Sequence, residues 1–300
     1  MIATLLAVIN PGEEVIIFEP FYENYGPDVI LAGASAKYVT LRDPDFSIDR
    51  KELENAFSRR TKAIIINTPN NPTGKVFTRA ELDMIAELCK RHDTLAVTDE
   101  IYEHIIYGGA EHISIASLPG MADRTVTISG LSKTYSVTGW RLAYTIACER
   151  LTSAIRKVHD FLTVGAPHPL QEAGATALRL PPKFYADLAA GYEKKRATLL
   201  DALSGAGLKC RSPQGAYYII TDIGHLGFSD DFAAADFLLD QIGVAAVPGS
   251  SFYRHPDLGR RKLRFTFSKS EATLTEAVQR LSRMGERLRG RRLASGAQQS

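Results

Sequence analysis

The sequence has few cysteines and no long apolar run, so little in it points to disulfide bonds or to a membrane. Its three cysteines are widely spaced and form no Cys-x-x-Cys pair, which argues against a disulfide framework or a zinc site. No run approaches the roughly 18 apolar residues of a transmembrane helix. The start lacks the basic flank and cleavage site of a signal peptide. We therefore expect a cytoplasmic protein that does not bind membranes.

The sequence also has almost no excess of positive or negative charge. The 36 Lys and Arg residues stand against 34 Asp and Glu, so the net charge is only +2. A balance of this kind creates no overall field that would attract nucleic acid. The histidines show no metal-ligand spacing, and we predict no metal site. A small molecule is the expected partner.

Four short apolar runs, at residues 15–18, 63–66, 95–97 and 126–128, alternate with longer segments of helical periodicity. Continuous apolar runs are typical of strands buried on both faces. The alternation predicts an α/β fold, with a mostly parallel sheet sandwiched by helices. Between the second and third runs, Thr78 and Glu81 have capping-box spacing, which predicts the start of a helix that continues to Arg91.

The pattern of predicted helices and strands divides the chain into three parts. Residues 1–175 are predicted to form a large domain, and its first nine residues resemble the inside of a helix without a cap, so we expect this domain to be truncated at its N-terminus. Residues 176–290 mix long helical segments with short strands and predict a smaller α+β domain. The polar tail at 291–300 is predicted to be disordered. Four leucine or valine residues predict one amphipathic final helix: Leu274, Val278, Leu281 and Leu288.

Two polar motifs follow buried strands. Residues 67–74 read Asn-Thr-Pro-Asn-Asn-Pro-Thr-Gly, a rigid turn at the strand end where open α/β sheets bind ligands. Asp99 closes the next apolar run, and a buried carboxylate must find a partner or water. Taken alone, the first motif is better explained as an ordinary turn, and Asp99 is better explained as a cap on a neighbouring element.

Two basic residues stand in unusual places. Lys133 lies in Ser-Gly-Leu-Ser-Lys-Thr-Tyr just after a predicted strand, with Arg141 eight residues further on. A lysine flanked by hydroxyl groups and followed by an arginine has the parts for a Schiff base beside a phosphate. Arg264 interrupts an otherwise apolar strand, where it would need a carboxylate, either from an internal ion pair or from a ligand.

The Asn-Pro-Thr-Gly, Asp-Glu-Ile-Tyr and Ser-Lys-x-Tyr to Gly-Trp-Arg motifs occur in this order. In that succession they resemble the signatures of the fold type I aminotransferases, the class I/II family that uses pyridoxal 5'-phosphate. The similarity runs from about Met1 to about Leu288. It implies transfer of an amino group between an α-amino acid and a 2-oxo acid, in a ping-pong cycle through pyridoxamine phosphate, by a homodimer.

The resemblance also implies roles for individual residues. Lys133 would bind the cofactor aldehyde and then act as the general base, and Asp99 would pair with the pyridine nitrogen. Asn71 and Tyr102 would hydrogen-bond the phenolic oxygen, Asn71 also lying at the substrate. Tyr22 would stack on the pyridine ring, for which core packing is the alternative.

Four further residues are implicated in binding anions. Ser132 and Arg141 match positions that bind the cofactor phosphate, and Arg264 matches the arginine that grips the substrate α-carboxylate. Gly130 stands where many relatives have a second phosphate-binding serine, so Ser129 either substitutes for it or only packs. The glycine-rich turn and the N-terminal arm that relatives carry upstream would precede Met1.

Two other functions are compatible with these motifs. A β-eliminating lyase on the same scaffold would share the cofactor residues, because the fate of the carbanion depends on details of the pocket. A non-catalytic fragment or sensor domain would keep the fold without a complete phosphate site.

Overall fold

The computed structural model describes residues 1–289. The predicted disorder of 291–300 concerns residues outside this range. The chain folds into two compact units, the first formed by Met1–Ala189 with Gln214–Ala216 and the second by Ala190–Pro213 with the chain from Tyr217 onward. The boundary expected after residue 175 stays a prediction. Among the described residues, no helix combines the length and the apolar character needed to traverse a bilayer.

The first unit is built on a seven-stranded sheet. In chain order its strands are β1 (Glu14–Glu19), β2 (Ser35–Arg42), β3 (Ser47–Ile48), β4 (Thr61–Asn67), β5 (Leu95–Asp99), β6 (Thr125–Gly130) and β7 (Ala143–Ile146). The spatial order is β3-β2-β1-β4-β5-β6-β7. The five strands β2, β1, β4, β5 and β6 pair in parallel, whereas β3 and β7 pair antiparallel at the two edges. The predicted mostly parallel sheet is confirmed.

In the described part of the chain, eight α-helices begin within this unit. They are α1 (Ile2–Val8), α2 (Tyr25–Leu31), α3 (Arg50–Ala56), α4 (Arg79–Arg91), α5 (Leu131–Thr134), α6 (Glu149–Thr163), α7 (His168–Ala177) and α8 (Pro182–Gly205). The capping box at Thr78 and Glu81 is present at the start of α4, as predicted. Helix α8 runs from the first unit into the second.

The sheet is buried on both faces, as the continuous apolar runs require. Alternate residues of β1 and β4, such as Val15 and Ile65, join one apolar cluster with side chains of α1, α2 and α6, including Leu5 and Val29. The residues between them, such as Ile64, are fully buried as well. Central burial of this kind fixes the strand register, and with it the position of whatever follows each strand.

Before residue 284, the second unit contains a four-stranded antiparallel sheet and two α-helices that lie wholly inside it. These elements are β8 (Lys209–Cys210), β9 (Tyr218–Asp222), α9 (Asp231–Phe237), β10 (Val247–Pro248), β11 (Lys262–Thr266) and α10 (Glu271–Leu281), with strand order β10-β11-β9-β8. The expectation of one continuous final helix was wrong: α10 ends at Leu281, and a separate helical stretch covers 284–289. Leu274, Leu281 and Leu288 are nevertheless all buried.

Candidate active site

Three central strands end at polar or small residues on one edge of the sheet. Strands β4, β5 and β6 end at Asn67, Asp99 and Gly130. Asn67 pairs with Asp99 in the register of β4 and β5, and Asp99 pairs with Ile128 of β6. Because these strands are parallel, the loops that follow them emerge side by side. The three sequence motifs therefore converge at this edge.

Asp99 lies partly buried at the centre of this edge. Its Oδ2 accepts a hydrogen bond of 2.7 Å from the Tyr25 hydroxyl, and its Oδ1 accepts one of 3.2 Å from the backbone N–H of Ile101. Burial raises the pKa of the Asp99 carboxyl, while the bonds from Tyr25 and Ile101 act in the opposite direction. The carboxylate is thus oriented by two donors but poorly solvated, and a cation beside it would be strongly stabilised.

The turn that carries Asn71 is tied to Asp99 through one side chain. The Asn67 amide nitrogen Nδ2 donates to the Asp99 carbonyl at 3.0 Å, and Asn67 Oδ1 accepts from the Asn71 N–H at 2.7 Å. Within the turn, Asn70 Oδ1 accepts from both the N–H and the hydroxyl of Thr73. The side chains of Asn67, Asn70, Asn71 and Thr73 are all buried. The turn is therefore a rigid part of the sheet edge.

Lys133 lies in α5, one turn after the end of β6, and is half-buried. Its Nζ is 5.9 Å from the centroid of the Tyr102 ring. Burial lowers the pKa of the Lys133 ammonium, the Arg141 cation lowers it further, and Asp99 opposes both effects. A larger fraction of this amine is neutral near pH 7 than of an ordinary lysine, which is what a nucleophile for an aldehyde requires.

The two predicted phosphate-binding residues lie on either side of Lys133 in the sequence. Arg141 is exposed, has a left-handed backbone with φ of 54°, and donates from Nη1 to the Thr138 carbonyl at 3.0 Å. The Ser132 carbonyl accepts from the Thr138 hydroxyl at 3.0 Å. Thr138 thus links the backbone of Ser132 to the arginine and holds them in one loop.

Ser129 is engaged elsewhere. Its buried hydroxyl donates to Glu103 Oε1 at 2.8 Å, and the Tyr144 hydroxyl approaches the same oxygen at 3.5 Å. Of the two roles expected for Ser129, this contact favours packing over phosphate binding. A Cβ on Gly130 would meet the Leu142 carbonyl oxygen at 3.0 Å, so the chain leading into β7 leaves no room for a larger residue there.

Tyr22 and Tyr25 lie at the start of α2. The Tyr22 ring packs edge-on against Tyr25 with centroids 5.6 Å apart, and 37% of Tyr22 is exposed. Exposure of this extent does not suit the alternative of core packing. Tyr25, in contrast, is buried, and burial raises the pKa of its hydroxyl, which therefore remains a donor to Asp99.

Arg264 belongs to the second unit, on strand β11. Its guanidinium carbon is 4.5 Å from the centroid of the Tyr218 ring and 4.7 Å from that of Phe252. Contact with two ring faces restricts a guanidinium and partly desolvates it. The arginine is thereby prepared to bind a carboxylate in a fixed orientation.

A second acidic group next to Asp99 forms a closed network. Glu100 is buried and accepts hydrogen bonds from the hydroxyls of Thr98 and Ser114, and its Oε2 contacts His112 Nε2 at 2.9 Å. Glu103 and His112 lie near enough to Glu100 to share a metal ion, with ligand atoms within 4.8 Å of one another. Because Glu100 already has three partners, we assign the group to fixing the backbone beside Asp99.

Most residues that the sequence singled out lie at or after the ends of β4, β5 and β6. Asn71, Asp99, Tyr102, Ser132, Lys133 and Arg141 all belong to the first unit. Two contacts were missed: the hydrogen bonds of Tyr25 with Asp99 and of Glu103 with Ser129. Tyr25 lies three residues after Tyr22 in a segment already noted for its aromatic residues, but no spacing rule connects it with an acid so distant in the chain.

Comparison with known proteins agrees with this geometry. The family model for aminotransferase class I and II matches residues 1–281. Kynurenine–oxoglutarate transaminase of Dictyostelium discoideum is 35% identical, over 95% of this chain and 74% of its own length. Methionine aminotransferase of Escherichia coli strain K12 is 34% identical, over 94% and 73%. The solved structure of N-succinyldiaminopimelate aminotransferase from Mycobacterium tuberculosis superimposes with a TM-score of 0.91 at 36% identity, over 94% of this chain and 74% of that one.

The chain therefore belongs to the class I and II aminotransferase family, on the fold type I scaffold. It is an enzyme of the transaminase class, transferring an amino group between an amino acid and a 2-oxo acid. Members of this family use pyridoxal 5'-phosphate. The chain spans about three quarters of the length of the first two of these relatives.

Proposed function

We propose that this chain binds pyridoxal 5'-phosphate through Lys133 and uses it to exchange the amino group of an α-amino acid with a 2-oxo acid. One observation carries the proposal. A half-buried lysine of lowered pKa and a partly buried, doubly hydrogen-bonded aspartate lie at one sheet edge, close enough for the charge of Asp99 to affect Lys133. A surface ion pair or an ordinary helix cap requires neither the burial nor this pairing.

The donors and acceptors present fit the chemical groups of the cofactor. The Lys133 amine suits the aldehyde, and the partly buried Asp99 carboxylate suits a protonated pyridine nitrogen. Asn71 and Tyr102 would donate to the phenolic oxygen. Ser132 and Arg141 would hold the phosphate, with a hydroxyl and a charge-assisted fork. When bound, the cofactor supplies an electron sink for the electrons released at the substrate α-carbon.

Proton transfer is assigned to Lys133. In the first half of the reaction, its Nζ takes the proton from the α-carbon of the amino acid. In the second half, it returns a proton to the α-carbon that comes from the 2-oxo acid. The lowered pKa of this amine supports that role, because the base must be neutral before it can accept a proton. Asp99 is proposed to act as a carboxylate, and the hydrogen bonds from Tyr25 and Ile101 favour that form. Tyr22 is proposed to cover the ring of the cofactor by stacking.

The substrate is proposed to bind through its α-carboxylate to Arg264. The rings of Tyr218 and Phe252 beside the guanidinium support this role, because they limit it to few orientations. The names of the relatives suggest which donors to assay first, namely kynurenine and methionine, with 2-oxoglutarate as the acceptor.

We further propose that the chain is a cytoplasmic homodimer. The end of α6 and the residues after it expose three apolar side chains, with Phe161 93%, Leu162 46% and Val164 83% accessible. An exposed apolar group of this kind is typical of an interface. The three cysteines, which all lie in the described range, are unpaired, as in a reducing compartment. Light scattering should give twice the mass of one chain, and Phe161→Glu should give the mass of a monomer.

An absorption spectrum tests cofactor binding directly. The full chain incubated with pyridoxal 5'-phosphate and gel-filtered should retain a visible band. Lys133→Ala should lose that band, and Lys157→Ala, at an exposed position on α6, should keep it. A colourless wild-type protein would refute the proposal for this chain.

An activity assay distinguishes the proposed transaminase from a β-lyase. Release of pyruvate and ammonia from cystathionine, without transamination of kynurenine or methionine, would identify a β-lyase.

A further inference from the structure

A short segment that is distant in sequence bonds to two loops of the candidate active site. Residues Gln214–Ala216, here called the strap, belong to that unit although the chain on both sides of them belongs to the second. Gly215 pairs with Ile106 in an isolated antiparallel bridge. The strap lies between the loop that carries Asn71 and the loop that carries Tyr102.

On one side the strap binds the loop of Asn71. The N–H groups of Gln214 and Gly215 both donate to the Gly74 carbonyl, at 2.9 and 2.8 Å. Gly74 in turn donates its N–H to the Asn70 carbonyl at 2.8 Å. Two bonds to one carbonyl stabilise the end of this turn. The strap therefore supports the Asn71 loop in addition to the Asn67 side chain.

On the other side the strap binds the loop of Tyr102. The Tyr107 N–H donates to the Gln214 carbonyl at 2.8 Å, and the Ala216 N–H donates to the Ile105 carbonyl at 2.9 Å. The Tyr107 hydroxyl also donates to the Ala216 carbonyl at 2.6 Å, in a buried position. Ile105 donates its own N–H to the Tyr102 carbonyl at 2.8 Å, which completes the connection.

Gly215 contacts both loops. A Cβ at this position would be 2.7 Å from Cβ and 2.8 Å from Cγ of Pro69, and 3.0 Å from the Ile105 carbonyl oxygen. Pro69 is two residues from Asn71, and Ile105 is three residues from Tyr102. A methyl group on residue 215 must therefore displace one loop or both.

We propose that Gly215 is a positioning residue, which sets the separation of the loops carrying Asn71 and Tyr102. The proposal rests on the function proposed above, in which these two side chains hydrogen-bond the phenolic oxygen of the cofactor. A displacement of even about 1 Å at a reacting group can lower a rate by about 100-fold. The absence of a side chain at residue 215 is thus a requirement of the site and not only of the fold.

The first test needs no cofactor. Hydrogen exchange of the cofactor-free protein, read by mass spectrometry, should be faster in Gly215→Ala than in the wild type for peptides covering 68–77 and 102–108. Gly205→Ala is the matched control, since a Cβ there meets nothing within 4 Å. Unchanged exchange in both peptides of Gly215→Ala would overturn the proposal.

The second test reads the chemistry of the site. The pH midpoint of the visible band should shift in Gly215→Ala in the same direction as in Asn71→Ala, and kcat/KM should fall roughly 10- to 100-fold. The double variant should shift little beyond Asn71→Ala alone, because both changes act on one interaction. A lower melting temperature with an unchanged midpoint and unchanged kcat/KM would show a merely structural role and overturn the proposal.

The two tests separate the inference from the proposed function. A wild type without a visible band refutes the proposed function, and the exchange measurement then decides the inference alone. If Gly215→Ala does not fold, Tyr107→Phe takes its place, since it deletes only the hydroxyl that binds the Ala216 carbonyl. The same faster exchange supports the proposal, and wild-type exchange in both peptides overturns it.

Discussion

The Tyr25 hydroxyl donates a 2.7 Å hydrogen bond to Oδ2 of Asp99 across 74 residues of sequence. Tyr25 is buried at the start of α2, and Asp99 is partly buried at the end of β5. A hydrogen bond to a charged group is worth about 1.5–3 kcal/mol. Here it stabilises the ionised form of Asp99 against the burial that disfavours it, so Tyr25 determines the pH range over which Asp99 can hold a cation.

Replacing Tyr25 with Phe should narrow that range. Without the hydroxyl, the pKa of Asp99 rises further, and the acid limb of a plot of kcat/KM against pH should move to higher pH. The direction follows because Asp99 is proposed to act as a carboxylate, which exists only above its pKa. Activity near neutral pH should fall roughly tenfold or more.

Tyr185→Phe is the control for this prediction. The Tyr185 hydroxyl bonds to Tyr135 and not to Asp99, so its loss should leave the acid limb in place. An acid limb in Tyr25→Phe that coincides with the wild type would show that this hydrogen bond does not tune Asp99.

Asp99→Asn should stabilise the cofactor-free protein at neutral pH while abolishing most activity. A carboxyl whose folded pKa is raised stabilises the fold fully below its unfolded pKa and loses that contribution as pH rises through the folded pKa. Asn carries no charge at any pH, so its melting temperature should exceed that of the wild type near pH 7. The difference should shrink towards acid pH, where Asp99 is protonated. Thermal melts from pH 4 to pH 8 measure this, and a variant less stable throughout would contradict it.

The sheet was predictable because its signals are local. Four continuous apolar runs became β1, β4, β5 and β6, and each needed only its own composition to be recognised. The sheet edge followed from the same pattern, since parallel strands bring their carboxyl ends together. Asp99 and Lys133 could therefore be associated from the order of the residues alone.

The contacts that orient these groups were not predictable, because they join distant segments. Tyr25 reaches Asp99 from the start of α2, and Gly215 reaches Pro69 from a segment surrounded in sequence by the second unit. Neither contact leaves a periodic signal. The break of the last helix after Leu281 was missed for a different reason. Buried leucines occur on both sides of the break, so the apolar pattern gives no sign of the turn.

The rate at which Lys133 captures an aldehyde should depend on pH through Arg141. Only the neutral amine reacts, so the rate rises with pH until the amine is fully deprotonated. Since the Arg141 cation helps to lower the pKa of Lys133, Arg141→Ala should move the midpoint of this rise to higher pH. Pyridoxal without its phosphate is the appropriate probe, because a direct contact of Arg141 with phosphate then plays no part.

Arg156→Ala, on α6, is the control for the capture experiment. Arg156 is exposed and is not among the groups that shift the pKa of Lys133, so its loss should leave the midpoint unchanged. If the midpoint stays at the wild-type value in Arg141→Ala, the Arg141 cation does not contribute to the lowered pKa of Lys133, and burial alone lowers it.

Removing one partner of the ion pair between Lys75 and Glu81 should cost far more stability than removing one partner of a surface pair. Lys75 Nζ lies 2.8 Å from Glu81 Oε1, and the two side chains are only 6% and 13% exposed. Glu81 also completes the capping box of α4, so this pair attaches the end of the Asn71 loop to the helix that follows it. Lys75→Met leaves a largely buried carboxylate without its cation, and we expect a loss of about 3 kcal/mol in the free energy of unfolding.

A double replacement distinguishes the pair from the packing around it. Lys75→Met combined with Glu81→Gln removes both charges and keeps a side chain that can cap α4, so it should recover part of the lost stability. The exposed pair of Lys183 and Asp187 provides the comparison, and Lys183→Met should change the unfolding free energy by no more than about 0.5 kcal/mol. Urea unfolding measures the free energy of unfolding of all three variants, provided that its slope against urea concentration is the same in each. Equal losses in Lys75→Met and Lys183→Met would mean that burial adds nothing to this ion pair, and the Asn71 loop would then depend on Asn67 and the strap for its position.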